Sequence, residues 1–246
     1  MGCDAKNTWQ GFVDLIFPPR CSACGERLDK EDLSPSFCRD CLGQFRFITP
    51  PLCPLCGYPY ADKTSENHLC QACLLSPPPF VAARFVASYE GVLQDVLHRF
   101  KYGGDTQIGE ALGEIMANFT WPLFEIRDYS MIIPVPLHIK KLRERGFNQA
   151  LTLSKIIAKH HRLKLDYLSF KRTEFTQPQT TLGKKARQVS VTGVFDVAHP
   201  EKLKREKVIL IDDVYTTGST LTECARTLKE AGVTTIAVLT MARTLS

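Results

Sequence analysis

The sequence lacks an apolar run long enough to cross a bilayer, and its first residues lack the basic stretch and apolar core of a secretory signal. Lys6 stands where an N-myristoylation signal needs Ser or Thr. Hydrophobic residues make up 44% and charged residues 23% of the 246 positions, as in soluble globular proteins. We therefore expect a cytoplasmic protein with no membrane insertion.

A Walker-type nucleotide site is not indicated either, because no Gly-x-x-x-x-Gly-Lys-[Ser/Thr] motif occurs in the chain. Another kind of phosphate site is indicated instead. Four aliphatic residues at 208–211 predict a strand that is apolar on both faces and ends at two carboxylates, Asp212 and Asp213. A turn of small hydroxyl residues around Gly218 follows, and then an amphipathic helix that stops at Gly232.

This strand, turn and helix together favour a phosphorylated sugar as the ligand. Backbone N–H groups, hydroxyl donors and the positive end of the helix dipole converge on one phosphate in such a turn. The neighbouring carboxylates repel a phosphate, but they suit sugar hydroxyls or a magnesium ion bound through water. The alternative, a surface turn that only caps a helix, explains neither the acid pair nor the apolar strand.

The same stretch resembles the phosphoribosyl-diphosphate (PRPP) signature of the type I phosphoribosyltransferases. The resemblance implies that Asp212 and Asp213 hold the ribose hydroxyls and that PRPP binds together with Mg²⁺. It also assigns the 5′-phosphate to the following turn, which consists of Thr216, Thr217, Gly218, Ser219 and Thr220.

Ten cysteines would indicate disulfides in a secreted chain, but eight of them form four Cys-x-x-Cys pairs, which in a reducing cytosol are typical of structural zinc. The pairs recur 32 residues apart, and Gly25 and Gly57 permit the tight turn of a metal knuckle. The simplest interpretation is two Zn²⁺ sites, one per repeat, while cross-braced sites and redox dithiols are the alternatives. The predicted ligands are Cys21, Cys24, Cys38 and Cys41 in the first repeat, and Cys53, Cys56, Cys70 and Cys73 in the second.

A proline-rich linker at residues 76–79 divides the chain into two predicted domains. Residues 1–79 contain an apolar helix face at 9–17 and the cysteine repeat. Residues 80–246 alternate between strand and helix patterns, which predicts an α/β fold with a mostly parallel, doubly wound sheet. The formal charge is −2 for residues 1–80 and +7 for the remainder, so attraction for polyanions is expected mainly from the larger domain.

Two basic stretches complete the pattern. Lys140, Lys141, Arg143 and Arg145 lie within six residues, in a predicted loop after the strand at 131–135. Such a run is ordinarily a solvated face, but beside a ribose 5-phosphate site it would neutralise a pyrophosphate. Residues 171–187 predict a long basic loop of the kind that closes over a site as a lid.

Together these parts resemble the ComF family, also called competence protein F or the GntX-like group. The resemblance rests on the cysteine repeat, on residues 134–149, on Gln179, Leu182 and Arg187, and on the acid pair. It implies a double Cys₄ zinc domain followed by a type I phosphoribosyltransferase domain. It also implies a role in natural transformation, where family members act with a cytoplasmic helicase on incoming single-stranded DNA, whereas GntX members are linked to nutrition. The chain departs from the family at Ser190, where Asn is usual.

The resemblance further implies a reaction class if the domain is catalytic, namely displacement at ribose C1 with pyrophosphate as the leaving group. Arg143, Arg145 and Lys140 would then hold the pyrophosphate, and Arg187 would close over it. No residue is indicated as a general base, so the acceptor stays open.

Three hypotheses for function follow. The protein binds PRPP and single-stranded DNA during DNA uptake, or it is an active phosphoribosyltransferase for an unknown base or amine, or it is a PRPP-sensing scaffold for a helicase partner. For the first, Phe147, Tyr102 and Tyr215 are candidate stacking platforms for DNA bases. A homo-oligomer is compatible with all three.

Overall fold

The computed structural model describes residues 18–29, 34, 36–173 and 193–245. The predicted helix face at 9–17 lies outside these residues, as does most of the predicted lid, including Arg187.

A five-stranded sheet lies at the centre of the described chain. Its strands are β1 (Ala82–Ser88), β2 (Met131–Pro134), β3 (Lys164–Leu165), β6 (Lys207–Tyr215) and β7 (Thr235–Arg243). They follow the order β1-β7-β6-β2-β3, and every pairing is parallel. Two short strands, β4 (Phe170–Arg172) and β5 (Phe195–Val197), form a separate antiparallel pair. The predicted α/β class with a mostly parallel, doubly wound sheet is confirmed.

Helices cover both faces of this sheet. In chain order they are α1 (Arg39–Gly43), α2 (Gln71–Leu75), α3 (Gly91–Tyr102), α4 (Thr106–Asn118), α5 (Ile139–Arg145), α6 (Gln149–His161), α7 (Pro200–Leu203) and α8 (Ser219–Glu230). Alternate residues of β6 serve opposite cores, because side chains alternate along a strand. Ile209 and Ile211 pack with α3, α4 and α6, whereas Val208 and Leu210 pack with α8. Asn148 caps the beginning of α6, since its side chain accepts the Leu151 N–H.

Two local predictions were wrong. The acid pair does not end its strand, because β7 continues to pair with β6 as far as Tyr215 and Arg243. The basic stretch after β2 is not a loop but the helix α5. His138 caps its beginning by accepting the Lys140 N–H, and Gly146 ends it in the left-handed conformation.

The two cysteine repeats share one backbone arrangement. The bridge between Arg20 and Arg27 recurs 32 residues later between Leu52 and Pro59, and α1 recurs as α2 at the same offset. The segment that joins the repeats lies against the free edge of β1, where the Ile48 N–H donates to the carbonyl of Val86 at 2.9 Å. The cysteine region is therefore packed against the sheet.

None of the helices in the described part of the chain is long and apolar enough to cross a membrane.

Candidate functional site

The acid pair lies near the carboxyl end of the central strand β6. Asp213 is 7% exposed, and its Oδ1 lies 3.3 Å from Nζ of Lys101, near the end of α3. Asp212 Oδ1 accepts the Asp213 N–H at 2.9 Å. Burial and the charge of Asp213 raise the pKa of Asp212 to about 7. Burial opposes the charge of Lys101, but the two carboxylates outweigh it and raise the Lys101 pKa. One buried ammonium thus compensates part of the charge of two crowded acids.

Sequence reasoning did not identify Lys101 as a site residue. It ends a helical face and precedes Gly103 and Gly104, so the local pattern indicated only a turn. A lone lysine before a glycine pair is weak as a signal. Only the packing of α3 over the carboxyl edge of the sheet brings its ammonium to Asp213.

The predicted phosphate turn forms a cradle at the start of α8. In the described chain, the backbone N–H groups of Thr217, Gly218, Thr220 and Leu221 donate to no protein acceptor. The hydroxyls of Thr217 and Ser219 lie 2.9 Å apart. Gly218 has φ +76°, and a Cβ there would overlap the hydroxyl of Tyr215. We call residues 216–221 the phosphate loop. Its unengaged amides and the helix dipole are suited to one phosphate.

The predicted cations are only partly brought together. The Arg145 guanidinium lies over the ring of Tyr102, 5.1 Å from its centroid, and its charge acts on the carboxyl of Asp212. Arg143 and Lys140 are exposed on the same short helix, and Arg187 lies outside the described residues.

Lys141 and Arg172 are two further cations of this region, and neither was among the predicted site residues. Burial lowers the pKa of Lys141, and so do the positive charges of Arg172 and Arg145. Burial lowers the pKa of Arg172, although Asp212 opposes that shift. Several cations therefore surround the acid pair.

The predicted stacking platforms differ in their accessibility. Tyr215 is only 8% exposed and packs edge-on against Phe85, so its prediction as a platform was wrong. Phe147 is half-buried against Phe100, whereas Tyr102 is 66% exposed. An amphipathic aromatic ring is buried or exposed according to its tertiary neighbours, which local sequence does not show.

A cleft of about 500 Å³ opens at the carboxyl end of β2, between α5, α6 and β4. Its lining is mainly apolar and includes Leu142, Phe147 and Phe170, with Arg172 at its border. It offers room for an apolar group, and Arg172, on which the charge of Asp212 acts, is part of its lining.

The eight paired cysteines form two clusters, one in each repeat. Within each cluster the sulfur atoms all lie within 4.8 Å of one another, and the members are Cys21, Cys24, Cys38 and Cys41, and Cys53, Cys56, Cys70 and Cys73. This grouping supports the sequential assignment over the cross-braced alternative. Four convergent sulfurs match the tetrahedral Cys₄ sites that zinc prefers.

Backbone amides support the thiolate form of one sulfur in each cluster. The Cys53 Sγ accepts from the N–H groups of Cys56 and Cys70 at 3.5 and 3.4 Å. Burial opposes ionisation of Cys53, but these amides outweigh it and lower its pKa to about 7. In the first cluster the same balance of burial and backbone amides lowers the pKa of Cys21 to about 6. Because a thiolate is the form that binds metal, the residues present fit two zinc ions.

Models of two known domain families match separate stretches of this chain. A double zinc ribbon domain model matches residues 12–74, and a phosphoribosyl transferase domain model matches residues 148–246. The DNA utilization protein YhgH of Escherichia coli O6:H1 is 32% identical over 201 residues, which cover 79% of this chain and 85% of that protein. Competence protein ComFC of Bacillus subtilis is 29% identical over 203 residues, 79% of this chain and 78% of that protein. Competence protein F of Haemophilus influenzae is 28% identical over 222 residues, 84% of this chain and 96% of that protein.

The chain belongs to the ComF family. The double zinc ribbon match spans both cysteine clusters, and the phosphoribosyl transferase match begins at Asn148 and includes the acid pair and the phosphate loop. Among solved structures, the glutamine PRPP amidotransferase of B. subtilis complexed with ADP and GMP is similar with a TM-score of 0.39 and 14% identity. That similarity covers 58% of this chain and 30% of the amidotransferase chain.

Proposed function

We propose that this ComF protein binds PRPP with Mg²⁺ in the crevice between the acid pair, the phosphate loop and the surrounding cations. One observation carries the proposal: a cradle of amides that have no acceptor among the described residues begins directly after the strand that holds Asp212 and Asp213. The phosphoribosyl transferase match over the same residues supports it.

Each half of the crevice suits one part of this ligand. Residues Thr216 to Thr220 of the phosphate loop would bind the 5′-phosphate through their N–H and hydroxyl groups. Asp212 and Asp213 would accept hydrogen bonds from the ribose hydroxyls. Bound beside them, Mg²⁺ would supply a Lewis acid for the ribose and pyrophosphate oxygens.

The cations of the crevice would neutralise the pyrophosphate. Lys101 and Arg145 already act on the carboxyl of Asp212. Arg143 and Lys140, exposed on α5, would approach from the solvent side, and Arg187 would approach from the predicted lid. Arginine suits this task because its planar fork can hold two phosphate oxygens at once.

We also propose two units, residues 1–79 with the zinc ribbons and residues 80–246 with the PRPP site. Relatives carry the names DNA utilization protein and competence protein. The function we propose is accordingly a role in DNA uptake or use, with single-stranded DNA bound directly and a helicase as partner. The ring of Tyr102 with Arg145 over it supports DNA binding, because an exposed ring beside a cation can stack a base near a backbone phosphate.

Calorimetry with Mg-PRPP tests the binding site. We expect Asp212→Asn to weaken binding at least tenfold, because a neutral amide is a poorer acceptor for the ribose hydroxyls. Asp95→Asn, an exposed acid on α3, serves as the matched control and should bind like wild type. Equal affinity of wild type and Asp212→Asn, or no binding by wild type, would refute the proposed site.

Two further measurements separate the remaining roles. Binding of a single-stranded oligonucleotide should fall steeply with salt, and Arg145→Ala should reduce both the affinity and the salt slope. Unchanged oligonucleotide binding in Arg145→Ala would contradict the DNA-binding role of this surface. Release of pyrophosphate from PRPP on addition of candidate bases or amines would establish the phosphoribosyltransferase alternative.

A further inference from the structure

Arg243 connects the second cysteine cluster with the phosphate loop. It is the last residue of β7, and its Nη1 donates to the backbone carbonyl of Cys56. Its guanidinium lies against three rings, at 5.1 Å from the centroid of Tyr58, 4.9 Å from Phe85 and 4.8 Å from Tyr215.

Arg243 depends on that one carbonyl for its side-chain hydrogen bonding. Its Nε is buried and has no partner, and within the described chain Cys56 O is the one acceptor for its side chain. A partly buried guanidinium that loses its acceptor is left with unsatisfied donors, so it follows the carbonyl or turns toward water. The position of the guanidinium is therefore sensitive to the position of the Cys56 backbone.

Tyr215 connects the position of the Arg243 guanidinium with the conformation of the phosphate loop. Its ring contacts both Arg243 and Phe85, and its hydroxyl fills the space where a Cβ of Gly218 would lie. The left-handed turn at Gly218 thus lies directly on the tyrosine. A shift of the Tyr215 ring would change the conformation that presents the loop amides.

We propose that Arg243 is a positioning residue that couples the metal occupancy of the Cys53 cluster to the shape of the phosphate loop. When metal holds the knuckle from Cys53 to Cys56, the Cys56 carbonyl is fixed and Arg243 holds Tyr215 beneath Gly218. When metal is absent, the carbonyl loses its support and the loop amides become less ordered. The inference goes beyond the proposed function, because the order of the loop is measurable without any ligand.

The first repeat supplies a matched control. Arg99 on α3 donates from Nη1 to the carbonyls of Ser22 and Ala23 at 2.9 and 3.0 Å, so it makes the same kind of contact with the other cluster. Within the described residues, however, Arg99 has no contact with the phosphate loop.

Hydrogen–deuterium exchange of the full chain, loaded with zinc, tests the coupling. In Arg243→Met we expect the amides of Ser219 and Thr222, which donate to the Thr217 hydroxyl and the Gly218 carbonyl of the loop, to exchange several-fold faster than in wild type, with zinc content unchanged. Arg99→Met should leave these amides as in wild type. Arg243→Lys keeps a donor for Cys56 O and should restore part of the protection. Unchanged loop exchange in Arg243→Met, or equal acceleration in Arg99→Met, would overturn the proposal.

Removal of zinc with a chelator, in wild type and in Arg243→Met, tests whether the metal acts through Arg243. Loop exchange should rise in wild type, while Arg243→Met should show little additional rise, since the coupling is already lost. Equal additional rises in both proteins would overturn the proposal. If Arg243→Met fails to bind zinc or to fold, Tyr215→Phe is tested instead, because it removes only the hydroxyl beneath Gly218. This variant should accelerate loop exchange without loss of zinc. Unchanged loop exchange in Tyr215→Phe would overturn the proposal. Binding of ribose 5-phosphate is measured in a separate titration. If the protein binds no sugar phosphate, the proposed function is refuted, whereas the coupling through Arg243 is still tested by the exchange measurements.

Discussion

Replacing Lys101 with Met should destabilise the protein strongly, because it removes the cation from a buried acid pair. The Lys101 Nζ lies 3.3 Å from Asp213 Oδ1, and the two side chains are 18% and 9% exposed. Met keeps most of the apolar stem but leaves the Asp213 carboxylate unpaired beside Asp212. Breaking one side of a buried ion pair typically costs about 3–5 kcal/mol. For a chain of 246 residues this corresponds to a fall in melting temperature of roughly 6–20 °C.

A double-mutant cycle measures whether the pair itself causes the loss. Lys101→Met with Asp213→Asn removes both charges, so the double variant should be less destabilised than the sum of the single variants. Thermal and denaturant unfolding of the zinc-loaded proteins at pH 7.5 provides the free energies. Lys159→Met, at an exposed position of α6, is the control and should change stability by less than about 0.5 kcal/mol. A loss below about 1 kcal/mol in Lys101→Met, or strict additivity in the cycle, would refute the reasoning.

Two other predictions concern the acid pair and the phosphate loop. The pKa of Asp212 is about 7 in the folded chain, against about 3.9 for an unperturbed Asp. The folded state therefore keeps its proton longer, and stability should fall as pH rises from about 4 to 7. The Asp212→Asn variant keeps an acceptor for the Asp213 N–H but carries no charge. Denaturant unfolding should therefore show this variant to be roughly 1–4 kcal/mol more stable than wild type at pH 8.5, with a smaller difference at pH 5.5. A stability difference that does not change with pH would contradict the assigned pKa shift of Asp212. Gly218→Ala adds a methyl group that overlaps Tyr215 in a left-handed turn, and calorimetry should show at least tenfold weaker binding of Mg-PRPP. Gly104→Ala, where φ is +67° and no atom lies within 4 Å of the added Cβ, isolates the backbone strain, and an equal loss of binding there would contradict the steric argument.

The parts of this protein that sequence predicted well are those encoded by neighbouring residues. The aliphatic run before Asp212 is apolar on both faces, and this pattern alone predicts a buried parallel strand. The spacing of the cysteines and the glycine in each knuckle similarly predicted two metal clusters, because a Cys-x-x-Cys turn places its two sulfurs at one centre.

Local pattern was insufficient where two conformations compete over a short stretch. The basic residues at 139–145 have no apolar periodicity, since none of the side chains of the helix they form is fully buried, so a loop was the natural expectation. The extension of β6 to Tyr215 likewise depends on pairing with β7 and not on its own residues. A carboxylate is disfavoured in a strand by propensity, but here the ladder outweighs that preference.

By itself the sequence determined the elements: the strand and turn of the phosphate loop, the cysteine clusters and the α/β alternation, because each follows from spacing within a few residues. Only the tertiary structure decided the partners: Lys101 for Asp213, and Arg243 between Cys56 and Tyr215. Such contacts join residues that are distant in the chain, and they form because the parallel sheet aligns the carboxyl ends of its strands at one edge. A side chain's neighbours across that edge follow from the order of the strands, which no local pattern specifies.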